Sequence, residues 1–107
     1  MQKANQQRIT QREAKEIMDT ETGYMIVDVR TEEEFDEGHI PGAILIPGAE
    51  IERCAEAERL DKDRQILLYC RTGRRSAAAA RKMAELGYTN VKDFGGIVTW
   101  PYETVKE

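Results

Sequence analysis

One short segment of the sequence combines residues that could perform nucleophilic chemistry on an anion. The stretch LLYCRTGRRSAAAARKM, residues 67–83, is an apolar run that stops at Cys70 and continues with three arginines and a glycine. A free thiol has a pKa of about 8.5, and only the thiolate is a good nucleophile. Because nearby positive charge favours the thiolate, the segment predicts a reactive cysteine inside an anion-binding loop.

The loop after the cysteine offers several kinds of anion-binding group. Arginines bring positive charge, hydroxyls add donors, and Gly73 allows the backbone to curl so that successive N–H groups face one centre. The residues that we assign to substrate binding are Arg71, Thr72, Gly73, Arg74, Arg75 and Ser76. A structural cysteine followed by a solvated basic turn is the alternative. Three arginines beside a thiol in an acidic protein favour the functional interpretation.

Composition limits the classes of partner. The 107 residues carry a formal net charge of -4, so the chain has no general attraction to nucleic acid or to an anionic membrane. Hydrophobic residues make up 40% and charged residues 34%, which is typical of a globular protein. We expect one domain over residues 1–107, with its core from about residue 9, and a monomer.

No apolar run is long enough to span a membrane, and the polar start MQKANQQRIT lacks a secretory signal. The chain is therefore expected in the cytoplasm, although a mature form without its signal would look the same. Cys54 and Cys70 form no CxxC pair, and His39 is the single histidine. We expect no metal site, no cofactor and no disulfide framework.

Strand and helix signals alternate along the chain. Predicted strands cover 24–29, 44–46, 65–69 and 90–94, and predicted helices follow Thr10, cover 31–37, include Ile51, Ala55 and Leu60, and run from Arg75 to Leu86. Gly95-Gly96 is predicted as a turn and the remainder as helical. Alternation indicates an α/β fold whose mostly parallel sheet has helices on both faces. Ligands bind such sheets beyond the carboxyl ends of the strands, which is where Cys70 falls.

Several motifs then resemble a known family when they are read in order. They are Asp28-x-Arg30 at a strand end, the turn GHIPGA at 38–43, the strand–cysteine–loop–helix unit, and a Gly-Gly pair followed by Trp100. From about Ile9 onward the chain resembles a single-domain rhodanese, a sulfurtransferase. The resemblance implies a rhodanese-like fold.

The resemblance also implies a reaction. In that family the cysteine attacks the outer sulfur of thiosulfate or another sulfane donor, keeps it as a persulfide, and passes it to cyanide or a thiol. Carried to this sequence, Cys70 is the nucleophile and the backbone N–H groups of 71–76 stabilise the persulfide. Arg74 and Arg75 would hold the sulfonate of thiosulfate, and Arg71 would lie on the rim.

Two other functions stay open. Cysteine phosphatases, including rhodanese-like ones, and arsenate reductases place an arginine at the sixth position after the cysteine, and here Ser76 stands there. That difference places the oxyanion enzymes second. The other alternative is a persulfide carrier that takes sulfur from one partner protein and delivers it to another, with the exposed arginines as its docking surface.

Several further residues look functional, and the sequence favours a structural role for most of them. Asp28 and Arg30 are expected to tie loops together, and His39 to make a structural hydrogen bond. Cys54 is expected to be packed or partly exposed, with a resolving role in disulfide chemistry as the alternative. Trp100 could line the mouth of the pocket or pack in the core.

Overall fold

The computed structural model describes residues 5–57 and 60–106. The strands are β1 (Gln6–Arg8), β2 (Met25–Asp28), β3 (Ile44–Leu45), β4 (Ile66–Cys70) and β5 (Val91–Gly96). The helices are α1 (Gln11–Thr20), α2 (Glu32–Glu37), α3 (Ile51–Glu56) and α4 (Arg74–Glu85), with 3-10 turns at Gly48–Glu50 and Ile97–Thr99. Strands and helices alternate, as the sequence pattern predicts.

The strands form one sheet in the order β1-β5-β4-β2-β3, and every pairing is parallel. β4 lies in the centre and all of its residues are buried, as expected for a continuous apolar strand covered on both faces. The predicted parallel sheet is confirmed. Its central strand ends at Cys70, so the sheet itself delivers the thiol to its carboxyl edge.

Side-chain alternation along β4 separates two cores. Leu68 and Cys70 face a cluster that includes Ala79 of α4 and Ala55 of α3. Tyr69 faces the opposite cluster, which includes residues of α1. Helices therefore cover both faces, as predicted, and Cys70 belongs to the face that α3 and α4 cover.

Local sequence signals set the helix ends. Thr10 and Thr31 each begin a helix with a complete capping box, in which the glutamate three residues later bonds back to the cap. Gly87 has φ +101°, the left-handed conformation that glycine adopts at little cost, and it directly follows the last turn of α4. These predictions are confirmed.

The structure corrects the prediction for the C-terminal part. Gly95 and Gly96 belong to β5 rather than to a turn, and beyond Thr99 residues 100–106 contain no helix. Pro101 explains the second correction, because proline lacks an N–H and pushes the residue before it into an extended conformation. Trp100 indeed has ψ +115°.

Two further elements differ from the prediction. β1 has no counterpart among the predicted strands, since its sequence QQR is short and polar. The predicted helix through Leu60 ends at Glu56, and residues 58 and 59 lie outside the described residues. Leu60 is buried. It follows Ala55 by five residues, about 1.4 helical turns, so a continuous helix would have placed it away from the buried face.

The described helices include none with both the length and the apolar character that crossing a membrane requires.

Candidate active site

The sulfur of Cys70 lies inside a loop of inward-pointing backbone donors. Cys70 is the last residue of β4 and is fully buried. The backbone N–H of Gly73 donates to Cys70 Sγ at 3.0 Å, and the N–H of Ser76 donates at 3.3 Å. The second donor belongs to the first turn of α4, where backbone N–H groups have no partner within the helix. The predicted curl of the loop around the thiol is confirmed.

Glycines make the close packing of this loop possible. Gly73 has φ +100°, and a Cβ there would meet the Cα of Gly95 at 3.2 Å. A Cβ on Gly96 would overlap the carbonyl oxygen of Arg71. The Gly95-Gly96 pair is therefore the floor on which the cysteine loop rests, a role that needs bare backbone on both sides.

The environment of Cys70 lowers its pKa below the usual value. Burial of the sulfur raises the pKa, and it is the largest single influence. Hydrogen bonds to the thiolate act in the opposite direction and together outweigh burial: one from the Ser76 hydroxyl when its proton faces the sulfur, and others from the backbone of Ser76, Gly73 and Thr72. The loop thus favours a thiolate at a buried position.

The three loop arginines occupy different environments. Arg75 donates both terminal nitrogens to Glu34 of α2, at 2.8 and 2.9 Å. This pair raises the Arg75 pKa, against an opposing effect of burial, and Cys70 adds to the increase. All three arginines, Arg71, Arg74 and Arg75, are exposed. Arg75 is therefore the arginine of this loop that the structure links both to a carboxylate and to the thiol.

Ser76 connects the thiol to an ion pair, between buried Asp93 and half-exposed Arg8, that the sequence analysis missed. Its Oγ lies 3.5 Å from Cys70 Sγ and donates to Asp93 Oδ1 at 2.7 Å. The other oxygen of Asp93 accepts from Nε of Arg8, whose Nη2 donates to the Gly73 carbonyl at 2.9 Å. The only sequence signal was an aspartate in a predicted strand, with nothing to indicate that β1 would bring Arg8 beside it.

A second ion pair, buried on both sides, lies at the end of β2. Both oxygens of Asp28 accept from Arg30, with a shortest contact of 2.7 Å, and Arg30 also donates to the Gly38 carbonyl at 2.7 Å. Both residues are buried. The pair joins the end of β2 to the turn after α2, so the predicted architectural role is confirmed.

His39 and Cys54 lie apart from the thiol. His39 stacks on Phe35 and its Nδ1 lies 3.0 Å from the Phe35 carbonyl oxygen, which confirms the predicted structural hydrogen bond. Cys54 is free and packs at the edge of the core cluster that includes α3 and α4. Its predicted packed or partly exposed position is confirmed.

Two grooves flank the cysteine loop. One, of about 470 Å³, is mostly apolar and includes Val29, Ala78 and Arg75 in its lining. The other, of about 460 Å³, includes Arg71 and Trp100. Trp100 also packs on Phe94 in the core, so it fulfils both roles that the sequence suggested. A substrate at the loop would have room on either side of it.

Within residues 5–57 and 60–106, no cluster of His, Cys, Asp and Glu has an arrangement that could hold a metal ion. The chemistry that the site offers is that of a thiolate held among backbone donors beside arginines.

Comparison with known proteins identifies the family. Residues 10–102 match the family model described as rhodanese-like domain. The chain belongs to the rhodanese-like family. The matched range includes the cysteine loop, Asp93 and Trp100, but it leaves out β1 and therefore Arg8.

Curated relatives of this rhodanese-like chain are named as sulfurtransferases. It is 37% identical over 71 residues to thiosulfate sulfurtransferase PspE of Escherichia coli, which covers 66% of this chain and 68% of PspE. It is 39% identical over 93 residues to MoeZ of Mycobacterium tuberculosis, named a probable adenylyltransferase/sulfurtransferase. That match covers 86% of this chain but only 24% of MoeZ, so the chain spans about a quarter of that relative.

A solved structure has the same fold. A rhodanese-like domain protein from Staphylococcus aureus superposes with a TM-score of 0.82 and 31% identity, over 94% of this chain and 98% of the other. The rhodanese-like fold predicted from the sequence is confirmed. The family and the relatives together support sulfur transfer as the function.

Proposed function

We propose that this rhodanese-like protein moves a sulfane sulfur from thiosulfate or a persulfide donor to cyanide or a thiol, through a persulfide on Cys70. The observation that carries the proposal is the buried sulfur of Cys70, which receives the N–H groups of Gly73 and Ser76. Preorganised donors of this kind stabilise negative charge without rearranging during the reaction.

The first half of the reaction loads the enzyme. The Cys70 thiolate attacks the outer sulfur of thiosulfate, a sulfur–sulfur bond forms, and the bond to the sulfonate sulfur breaks. Sulfite leaves with that electron pair, and the negative charge of the thiolate passes to the outer sulfur of the persulfide. We expect the loop donors that bind the Cys70 sulfur to stabilise the persulfide anion as well.

The second half returns the enzyme to its resting state. Cyanide or a thiolate attacks the outer sulfur, and Cys70 leaves as a thiolate. A leaving thiol of lower pKa departs faster. The lowered pKa of Cys70 therefore assists this half of the cycle, just as it supplies the nucleophile for the first half.

Arg75 is the residue best placed to hold the sulfonate end of a donor, with exposed Arg74 beside it. A guanidinium has five N–H donors, and the two bonds to Glu34 leave three for a substrate. Replacing both arginines with alanine should raise the KM for thiosulfate while an uncharged sulfane donor is affected less. Equal losses for both donors would contradict this role.

Ser76 argues against a phosphatase or arsenate reductase. At the position where those enzymes carry an arginine, the structure has a buried hydroxyl that donates to Asp93. A cationic side chain aimed at the centre of the loop is missing from that position. We therefore place oxyanion chemistry behind sulfur transfer.

A protein-to-protein sulfur carrier is the second candidate. It uses the same Cys70 persulfide, and it is favoured by the likeness to MoeZ, in which this chain corresponds to about a quarter of a larger protein. Exposed Arg71 and Arg74 would then serve as contacts for the donor or acceptor protein.

Thiocyanate formation from thiosulfate and cyanide tests the proposal. Cys70→Ser should abolish the activity, while Cys54→Ser should retain it, because Cys54 packs away from the loop. Both variants should show wild-type circular dichroism. A Cys70→Ser protein that still formed thiocyanate would overturn the mechanism. Activity with a protein persulfide but not with thiosulfate would favour the carrier.

A further inference from the structure

The hydroxyl of Ser76 has one proton and several neighbours that compete for it. Its Oγ lies 2.7 Å from Asp93 Oδ1 and 3.3 Å from each of the carbonyl oxygens of Gly73 and Gly95. The remaining neighbour is Cys70 Sγ, at 3.5 Å. Carbonyls and carboxylates only accept hydrogen bonds, so the thiol is the one neighbour among these that can donate to Ser76.

The distances decide where the Ser76 proton points. A hydrogen bond from a hydroxyl to a carboxylate is short and about twice as strong as one between neutral groups. The 2.7 Å contact to Asp93 fits that description, and 3.5 Å to Cys70 Sγ is an ordinary hydrogen-bond distance for the larger sulfur atom. The Ser76 proton therefore points to Asp93, and its lone pairs face the sulfur.

Asp93 is held in place for this interaction from three sides. Its Oδ1 also accepts the backbone N–H of Gly95 at 3.0 Å. Its Oδ2 accepts a hydrogen bond from Nε of Arg8 at 2.9 Å, and Nη2 of the same guanidinium lies 2.8 Å away as an ion pair. The Asp93 side chain is almost fully buried. If the Ser76 hydroxyl turned away, the carboxylate would therefore have no water to replace the lost hydrogen bond.

We propose that Asp93, held by Arg8, accepts the single hydrogen bond that the Ser76 hydroxyl can donate. Ser76 can then only accept a hydrogen bond from the Cys70 thiol, and this restrains ionisation of the nucleophile. Asp93 and Ser76 are positioning residues in this proposal. Any effect on sulfur transfer rests on the proposed function, whereas the restraint on Cys70 stands by itself.

The chemical reason for such a restraint lies in the two halves of the reaction. Backbone donors lower the pKa of Cys70, but a thiolate loses intrinsic nucleophilicity as its pKa falls, and the best attacking thiol has a pKa near ambient pH. An acceptor hydroxyl beside the thiol opposes the backbone donors. The restraint therefore makes the Cys70 thiolate a stronger nucleophile toward thiosulfate in the first half. In return, Cys70 departs more slowly as a leaving group in the second half.

Other charged groups around the thiol are the same in every variant of the test. Arg75 faces Cys70 from α4 and is paired with Glu34 of α2. Asp28 acts on Arg75 from the end of β2 and is paired with Arg30. Arg71 and Arg74 are exposed, as Arg75 is, so salt screens their charges. Their effects cancel when variants at positions 76 and 93 are compared.

The test is a pH titration of the thiolate by ultraviolet absorbance, which needs no reagent to reach the buried sulfur. A Cys54→Ala background leaves Cys70 as the only thiol. Four proteins are compared in this background: the parent, Ser76→Ala, Asp93→Asn and the double variant. Circular dichroism and urea unfolding confirm that each one is folded.

Ser76→Ala separates the proposal from its rival by sign. If Ser76 accepts from the thiol, its removal takes away an interaction that favours the protonated form, and the pKa of Cys70 falls. If Ser76 instead donates to the thiolate, the same variant raises the pKa. A rise would overturn the proposal. This variant removes one oxygen atom, so it keeps the question open to test even if Asp93→Asn fails to fold.

Asp93→Asn supplies the second arm. A neutral amide accepts a weaker hydrogen bond from the Ser76 hydroxyl than a carboxylate does, so the hydroxyl becomes free to donate to the Cys70 thiolate. The pKa of Cys70 should therefore fall by about one pH unit. In the Ser76→Ala background the same change should move the pKa by less than half as much, because only the loss of charge remains. Equal shifts in the two backgrounds would mean simple charge repulsion and would overturn the proposal.

The titration and the sulfur-transfer assay fail independently. A protein with no thiocyanate activity can still show the predicted shifts in Cys70 pKa, which would leave the restraint intact and remove the proposed function. The predicted kinetic consequence is a lower second-order rate constant of the Asp93→Asn thiolate with thiosulfate and faster release of sulfur to cyanide. The same two rates in both proteins would show that the restraint has no role in transfer.

Discussion

Two buried carboxylates, Asp28 and Asp93, belong to strands of the same sheet, and each binds an arginine. Asp28 pairs with Arg30, only two residues further on, and the arginine side chain is 6% exposed. Asp93 pairs with Arg8 from the other end of the chain, and that arginine side chain is 54% exposed. One pair is local and sealed, whereas the other is long-range and open to water on one side.

The difference shows how similar ion pairs acquire different roles. Asp28 spends both oxygens on Arg30, and the pair fixes the turn at Gly38. Asp93 gives one oxygen to Arg8 and keeps the other for Ser76 and the Gly95 N–H. The Asp28 carboxylate therefore has a purely structural role, while the Asp93 carboxylate connects the sheet to the nucleophile.

The largest expected effect is on Asp28. Asp28→Ala leaves the buried Arg30 guanidinium without its partner, and breaking a buried pair in this way costs about 3–5 kcal/mol. The free energy of unfolding in urea should fall by that amount. In the variant protein that remains folded, the pKa of Cys70 should be the same as in wild type. A loss below about 1 kcal/mol would show that Arg30 finds other partners and that the pair is not sealed.

A smaller loss is expected at Asp93. In Asp93→Asn the Arg8 side chain can turn to water because it is already half exposed, so the cost is about 1–2 kcal/mol from the weakened hydrogen bonds. Urea unfolding under the same conditions gives the comparison with Asp28→Ala. An equal or larger loss at Asp93 would break the distinction between the sealed and the open pair.

A third carboxylate–arginine pair, Glu34 with Arg75, provides a partly exposed reference. The Arg75 hydrogen bonds lower the Glu34 pKa from 4.5 to about 2. Such a carboxylate stabilises the fold above its unfolded pKa, and the contribution is lost as the pH falls from about 4.5 through 2. Glu34→Gln should therefore cost about 1 kcal/mol at neutral pH, with solvent screening keeping the loss this small.

Denaturant unfolding of wild type and Glu34→Gln across this pH range measures that contribution. The difference in stability should be constant above pH 5 and should disappear near pH 2. A difference that does not change with pH would show that the ion pair contributes nothing and that the loss arises from packing.

The smallest expected effect is at Arg8. Arg8→Gln removes a half-exposed guanidinium, so the free energy of unfolding should fall by less than about 1 kcal/mol. The pKa of Cys70 should rise slightly, since the Asp93 carboxylate loses its neutralising partner. A loss as large as that of Asp28→Ala would mean that Arg8 anchors β1, and the contrast between the two pairs would need to be revised.

The comparison also explains what could be predicted from the sequence. Asp28, Arg30 and the curl at Gly73 depend on residues close together in the chain, and the structure matches those predictions. Asp93 depends on the parallel pairing of β1 with β5, in which Arg8 lies opposite Asp93. A three-residue polar edge strand leaves no periodic signal, so neither the strand nor its arginine was predictable.

The errors at the C-terminal end have the same origin. Gly-Gly is typical of a turn, but here the pair extends β5 because the backbone at Arg71 packs directly against Gly96. That contact joins distant parts of the chain and is invisible in a local reading. The predicted helix after it overlooked the restriction that Pro101 places on Trp100.

Intact mass after incubation with thiosulfate, without reductant, tests the central claim most directly. The account predicts that wild type and Cys54→Ser gain the mass of one sulfur atom, that cyanide removes it, and that Cys70→Ser gains nothing. A gain in Cys70→Ser that cyanide removes, or a wild-type protein that never gains sulfur from thiosulfate or from a persulfide donor, would contradict the account.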